Sequence, residues 1–423
     1  MDRKREINFN LNNFLLAISE SLDFVEIDLL GVTANHSKRV AFIAISLGIE
    51  LNLSQEDIFD LCAYSILHDN ALVNDRENVY FDVDKQLANM KKLGQHCIMG
   101  EENIKEFPFV GHHRDVIKYH HEYFNGSGIF GLKYDEIPLL SQLISFADTI
   151  DGLLNFSNPS IQNRRDIVEF TEKNRNTLFS EEVCDAFLKI SKKTAFWLDL
   201  QSEKTLINFL LETTDEFSIE LTYEELLSIT SIFTKIVDTK SHFTHEHSSG
   251  LREKCGIMAD FYRFSHKDKM MFLIAASLHD LGKLAISNDI LDKPSALSDD
   301  EFEVMKSHVY YTSKALKSIL EFEDIAKWAS NHHEKLDGSG YPYGKDKSQL
   351  CFKSRLMGCL DIYQALTEDR PYRVGLEHKE SMDILNNLVK DGKLDRLIVK
   401  DIEDVFGKDK TQSDTDKKVF ECC

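Results

Sequence analysis

Two phrases in this 423-residue chain are nearly the same: "HHEYFNGSG" at 120–128 and "HHEKLDGSG" at 332–340, an offset of 212 residues (332 − 120). The offset holds along the chain. "LHD" at 67–69 returns at 278–280, and "NHS" at 35–37 returns as "EHS" at 246–248, each 211 residues on. His96 is answered by His308 after 212 residues, and Asp148 by Asp361 after 213. So small a drift over so long a span marks a duplication, and a duplicated chain must fold as two copies of one architecture.

The repeat predicts a first domain over residues 1–215, a second over 216–405 and a polar tail at 406–423. Thr222 with Glu225, and Ser298 with Glu301, have the spacing of helix capping boxes. Behind the second of these, Phe302, Met305, Val309, Thr312 and Leu316 recur at helical spacing and predict a buried stripe. "AYSILHD" and "MMFLIAASLHD" read as apolar helices, each ending on a His-Asp pair. Only six prolines interrupt the chain, so the expected fold is all-α, two helical bundles in tandem.

Charge and composition narrow the function. A net charge of −21 disfavours binding to a nucleic-acid polymer, although local cations or metal ions could still hold a small anion. No apolar run, "VAFIAISLGI" at 40–49 included, approaches the ~18 residues of a membrane span. The start has no apolar segment behind its basic residues, so no secretory signal is read there and a cytoplasmic protein is expected. Eight cysteines without a CxxC pair read as reduced, mostly buried thiols and exclude zinc-finger chemistry.

The repeat also sorts the histidines. Of 16, ten fall at paired positions: His36, His68, His96, His120 and His121 in the first unit, matched by His247, His279, His308, His332 and His333 in the second. Of the six without a paired histidine, His112, His113, His242, His245 and His266 read as solvated or capping residues. One histidine at the end of an apolar helix is ordinarily a satisfied core residue. Five of them with two aspartates, Asp69 and Asp148 or Asp280 and Asp361, recurring in one order, point instead to metal. Imidazole and carboxylate donors without thiolate suit iron, manganese or zinc. Seven donors exceed one ion's needs and suffice for two. Such a pair can activate a water and offset charge on a phosphodiester.

The second unit resembles the HD-GYP family of HD-domain cyclic-dinucleotide phosphodiesterases, carried by "EHS", "LHDLGK", "KSH", "NHHEKLDGSGYP", "LDIYQAL" and "RPYR". The resemblance implies that His247, His279, Asp280, His308, His332, His333 and Asp361 hold two divalent ions, iron or manganese with zinc as an alternative, and that Asp280 bridges them. It implies that Asp280 and Lys283 carry catalysis, with Lys283 binding phosphate. Asp337, Gly338, Gly340, Tyr341 and Pro342 would shape the substrate loop, and Arg370 and Arg373 would add contacts. The expected reaction is hydrolysis of a cyclic dinucleotide, cyclic di-GMP first and cyclic GMP-AMP second, to the linear dinucleotide or to mononucleotides. The alternatives are a non-catalytic sensor or adaptor, and a broader HD-superfamily phosphohydrolase. Protein signalling partners and a homodimer fit the same resemblance.

Departures from the family pattern are specific. Gly250 and Gln364 stand where an arginine and an aspartate are usual, and Phe243 and Val32 stand where some members have a third-metal glutamate. The first unit keeps the ligand set His36, His68, Asp69, His96, His120, His121 and Asp148, which implies two more ions there. It has Leu72 in place of Lys283, and Asn125, Ile129 and Phe130 in place of Asp337, Tyr341 and Pro342. A metal-bearing unit with little or no hydrolysis is expected.

Overall fold

The computed structural model describes residues 7–30, 33–71, 94–154, 160–215, 217–240, 247–369 and 374–407. Arg370, Arg373, Leu72, Phe243, Val32, His242, His245 and most of the polar tail lie outside these residues. The described chain is all-α apart from two three-residue strands, Ile7–Phe9 and Ile219–Leu221, which pair with each other. It divides into two compact units, with Asn8–Glu220 as the N-terminal unit and the chain from Leu221 onward as the C-terminal one.

Each unit is built around one helix that is apolar nearly all round. In the C-terminal unit this is His266–Leu278, where Met270 to Leu278 are all buried. In the N-terminal unit it is Gln55–Leu67, with Ile58 to Leu67 buried. A helix apolar on every face must be surrounded by others. Both start the same way, with the Ser265 or Ser54 hydroxyl accepting from the backbone N–H three residues on, of Asp268 or Asp57, each at 3.1 Å. Both run straight into a His-Asp pair, so the core places that pair at its own end.

Tyr223–Lys240, His247–Phe261 and Glu323–Ser330 pack on the C-terminal core helix, with Asp299–Lys317 against Glu323–Ser330 and Phe352–Thr367 against His247–Phe261, and Phe272, Trp328, Phe322 and Leu316 are among the buried side chains. Both expected capping boxes form. Thr222 N–H donates to Glu225 at 2.8 Å while Glu225 N–H donates back to the Thr222 hydroxyl at 3.2 Å, and Ser298 and Glu301 exchange bonds of 2.7 and 3.3 Å. The apolar stripe on Asp299–Lys317 is buried only from the middle onward. Val309, Thr312 and Leu316 are inaccessible, but Phe302 is 44% exposed. The first turns of this long helix extend beyond the core, and Phe302 meets the Tyr341 ring instead, with 6.2 Å between centroids.

The N-terminal unit repeats this plan with helices Leu11–Leu30 and His36–Glu50 against Gln55–Leu67, with Leu139–Leu153 against His36–Glu50, and with residues 94–103 helical around His96. Phe14, Phe59, Phe146 and Phe187 fill its interior. Among the described residues no helix is long and apolar enough to cross a membrane.

Candidate metal centres

Five elements of the C-terminal unit converge on one spot. His247 opens helix His247–Phe261, His279 and Asp280 end the core helix, and His308 sits midway along Asp299–Lys317. His332 and His333 follow Glu323–Ser330, and Asp361 comes from Phe352–Thr367.

The backbone fixes how these rings present themselves. Helix C-termini leave carbonyls without intrahelical partners. His279 Nδ1–H donates to the Ala276 carbonyl at 2.8 Å and His332 Nδ1–H to that of Ala329 at 2.5 Å, while His308 Nδ1–H uses the Met305 carbonyl at 2.6 Å. A proton on Nδ1 leaves the lone pair on Nε2. The Nε2 atoms of His279, His308 and His332 are buried and make no hydrogen bond, a costly arrangement that a metal ion would resolve. Burial holds His332 and His308 down, to about 3 and about 4, so both rings stay neutral and ready to ligate.

The donors form two trios, His247–His279–Asp280 and His308–His332–His333, each with ligand atoms within 4.8 Å of one another. Asp280 spans them: its Oδ2 is 3.1 Å from His279 Nε2 and its Oδ1 is 3.4 Å from His308 Nε2. Asp361 does likewise, with Oδ1 3.1 Å from His247 Nε2 and Oδ2 3.8 Å from His333 Nδ1. Burial opposes the charge on Asp280, but His279 and Lys283 outweigh it and hold the carboxyl well below its usual range. Lys283 lies 2.6 Å from Asp280 Oδ2. All seven residues expected as ligands therefore come together, and their imidazole and carboxylate donors fit divalent metal.

The glycine loop forms one wall. Gly338 has φ +79°, and a Cβ on Gly340 would lie 2.4 Å from Glu334 Cα, so both positions require glycine. Asp337, exposed, turns its carboxylate onto the Ser339 N–H at 3.0 Å and hydroxyl at 2.7 Å. The Tyr341 ring packs against His333 with 4.8 Å between centroids, and a cis bond joins it to Pro342.

Sequence reasoning missed two supports of this centre. Glu334, the glutamate of "HHE", is buried and accepts the N–H groups of Tyr343 and Lys345, both at 2.8 Å, which ties the loop to the histidines. Its recurrence as Glu122, which accepts from Phe130 at 2.5 Å and Leu132 at 2.7 Å, was the available signal. The other support is Glu368, which accepts from His247 Nδ1 at 2.9 Å and from Gln364 at 2.9 Å. In the N-terminal unit the corresponding support is Asp151, 2.6 Å from His36 Nδ1 and held by Arg39 at 2.5 Å. Gly250 and Gln364 replace that Arg-Asp pair; a Cβ on Gly250 would come within 2.4 Å of Gln364, whose side chain fills the space. The carboxylate has moved from the position of Gln364 to Glu368, one turn on. Burial works against a charged His247, yet Asp361 and Glu368 together lift it to about 9.

The N-terminal unit repeats the geometry. His68 and His120 donate through Nδ1 to the Ser65 and Ile117 carbonyls at 2.8 and 2.5 Å, and their buried Nε2 atoms make no hydrogen bond. Asp69 again lies between the rings, with Oδ2 3.3 Å from His68 and Oδ1 3.6 Å from both His96 and His120. Asp148 Oδ1 is 3.4 Å from His36 Nε2. The trio His36–His68–Asp69 matches its counterpart, but the second group is a quartet, His96–Cys97–His120–His121. The turn glycine Gly126 has φ +82°, and Asn125 accepts the Ser127 N–H at 2.9 Å, the local role Asp337 plays in the other copy.

Known proteins share this fold. HD-domain family models match residues 33–153 and 231–398. A Vibrio cholerae protein named 3′3′-cGAMP-specific phosphodiesterase 1 is 28% identical over 93% of this chain and 91% of its own, and 3′3′-cGAMP-specific phosphodiesterase 3 of the same organism is 24% identical over 89% and 90%. A cyclic di-GMP phosphodiesterase of Thermotoga maritima is 32% identical over 41% of this chain and 48% of its own. The fold is that of a solved cyclic GMP-AMP specific phosphodiesterase of V. cholerae, V-cGAP3, with a TM-score of 0.66, 20% identity, and coverage of 95% of this chain and 98% of the other. With one HD domain in each unit and the glycine-tyrosine-proline loop in the second, the chain belongs to the HD-GYP family of HD-domain proteins.

Proposed function

We propose that the C-terminal unit hydrolyses a phosphodiester bond of a cyclic dinucleotide. The observation that carries this reading is the pair of ligand trios joined through the two oxygens of Asp280. Divalent metal held there supplies Lewis acidity to the phosphoryl oxygens and activates the attacking water. His247, His279 and Asp280 would hold one ion and His308, His332 and His333 the other, with Asp361 reaching both. Iron or manganese suits this donor set, with zinc as the alternative. Lys283, paired with Asp280 at the edge of the centre, is placed to transfer its charge to a non-bridging phosphate oxygen as substrate enters. Glu334 and the glycines hold the loop that carries Tyr341 and Pro342 against the bound nucleotide, with Asp337 setting its turn.

Two relatives that align over both units are named for 3′3′-cGAMP, while the T. maritima protein named for cyclic di-GMP matches less than half of the chain. Both dinucleotides therefore belong in the test, with 3′3′-cGAMP first. Metal-loaded protein is incubated with a panel of cyclic dinucleotides, and the products are separated and weighed. Linear dinucleotide or mononucleotides are expected. Tight binding without turnover across the panel would contradict the reading and favour a sensor.

For the N-terminal unit we propose a metal centre that does not hydrolyse. Its ligands reproduce the two-group arrangement, but Leu72 brings no charge to a phosphate and Ile129–Phe130 replaces the Tyr-Pro pair.

A further inference from the structure

We infer that the Cys97 thiolate completes a His3Cys coordination sphere with His96, His120 and His121 in the N-terminal unit, so that this position is a closed, zinc-preferring site rather than a hydrolytic one. The inference rests on the proposal that this unit holds metal, and it adds the donor set and the metal preference.

The geometry supports it directly. The ligand atoms of the four residues all lie within 4.8 Å of one another, and Cys97 Sγ is 3.5 Å from His96 Nε2. In a tetrahedral zinc site with Zn–S of ~2.3 Å and Zn–N of ~2.0–2.1 Å, a sulfur and a nitrogen ligand stand about 3.6 Å apart. The three imidazoles fan about the same point. Ring centroids are 5.4 Å apart for His96 and His120, 5.1 Å for His96 and His121, and 3.9 Å for His120 and His121. His120 is fully buried, and its Nε2 makes no hydrogen bond among the described residues. Cys97 itself is inaccessible, so its sulfur faces the donors rather than solvent.

The other copy isolates what the thiol adds. Val309 occupies the matching position, also inaccessible, beside the trio His308–His332–His333. In the C-terminal unit three imidazoles reach four protein donors only through the shared Asp280 carboxylate, whereas in the N-terminal unit three imidazoles and a thiolate reach four by themselves, the donor count of a closed structural site. Thiolate also shifts preference from manganese and iron(II) toward zinc. One substitution between the copies, valine against cysteine, thus accounts for a reactive centre in one unit and an inert one in the other, independently of Leu72.

The test uses the full chain with Cys422→Ser and Cys423→Ser, to remove thiols of the C-terminal tail, stripped of metal and reloaded with Co2+. Cobalt at this position is defined as the content lost on His120→Ala. The parent should show a near-ultraviolet sulfur-to-cobalt charge-transfer band that disappears in Cys97→Val, the residue of the sister copy, and in the smaller Cys97→Ser. Zinc affinity at this site should fall by roughly 100-fold or more in Cys97→Val, beyond the loss seen when only an outer partner is removed. A band that persists in both Cys97 variants, or His120-dependent cobalt without a band in the parent, would overturn the inference. Equal cobalt in the parent and in His120→Ala would show that this position holds no metal and overturn the inference, and equal cobalt in Asp69→Ala as well would remove the proposal beneath it.

Discussion

Lys283 and Glu368 touch the same centre and should fail in different ways. Lys283 pairs with Asp280, a proposed ligand, and is not itself proposed as one, so Lys283→Ala should leave metal content unchanged while turnover drops about a hundredfold, the equivalent of about 2–3 kcal/mol for a charge-assisted contact to the transferred phosphoryl group. Metal analysis beside single-turnover kinetics checks this, and loss of metal together with activity would refute it. Glu368 acts one step further out, through His247 Nδ1. Glu368→Ala should weaken metal binding by about 10–100-fold with little change in thermal midpoint, and Glu368→Gln, which keeps an acceptor, should recover part of it. Chelator competition measures both. A Glu368→Ala protein that binds metal as tightly as the parent would remove the positioning role.

At the scale of the element, the two copies show which parts of the loop are architecture. The buried glutamate, the positive-φ glycine and the Asx-type turn recur in both, at Glu334, Gly338 and Asp337 and at Glu122, Gly126 and Asn125. Glu334→Ala would leave the N–H groups of Tyr343 and Lys345 without their acceptor and release the loop. Two hydrogen bonds to a charged group at about 1.5–3 kcal/mol each predict a clear loss of stability in denaturant titration and a rise in KM larger than the fall in kcat. An unchanged denaturation midpoint would show that the loop is held some other way. The end of the core helix illustrates replacement instead of retention. In the C-terminal unit Thr312 receives the Gly282 N–H at 2.9 Å and donates to the His279 carbonyl at 3.0 Å. In the other copy, Asn70 donates to the Leu67 and Gly100 carbonyls at 2.8 and 3.2 Å.

Taken as a whole molecule, most of the plan was legible because duplication supplied an internal comparison. The helical bundles, the His-Asp pairs ending buried helices and the grouping of seven donors per unit all follow from residues that recur in order. Glu334 escaped although it recurs as Glu122, and most of the rest that escaped is what the copies do not share. Glu368 supports His247 from one turn beyond the position from which Asp151 supports His36, and Cys97 read as one more buried thiol because its partner is Val309. The exposed first turns of Asp299–Lys317 were hidden by a stripe that continues past the end of the core. The division of labour between the units is the central claim, and it is tested by measuring turnover of 3′3′-cGAMP and cyclic di-GMP together with metal content in the parent, Asp280→Ala and Asp69→Ala proteins. The account predicts that Asp280→Ala abolishes turnover, while Asp69→Ala loses metal and keeps most of its activity. Full activity in folded Asp280→Ala protein, or equal losses in the two variants, would contradict it.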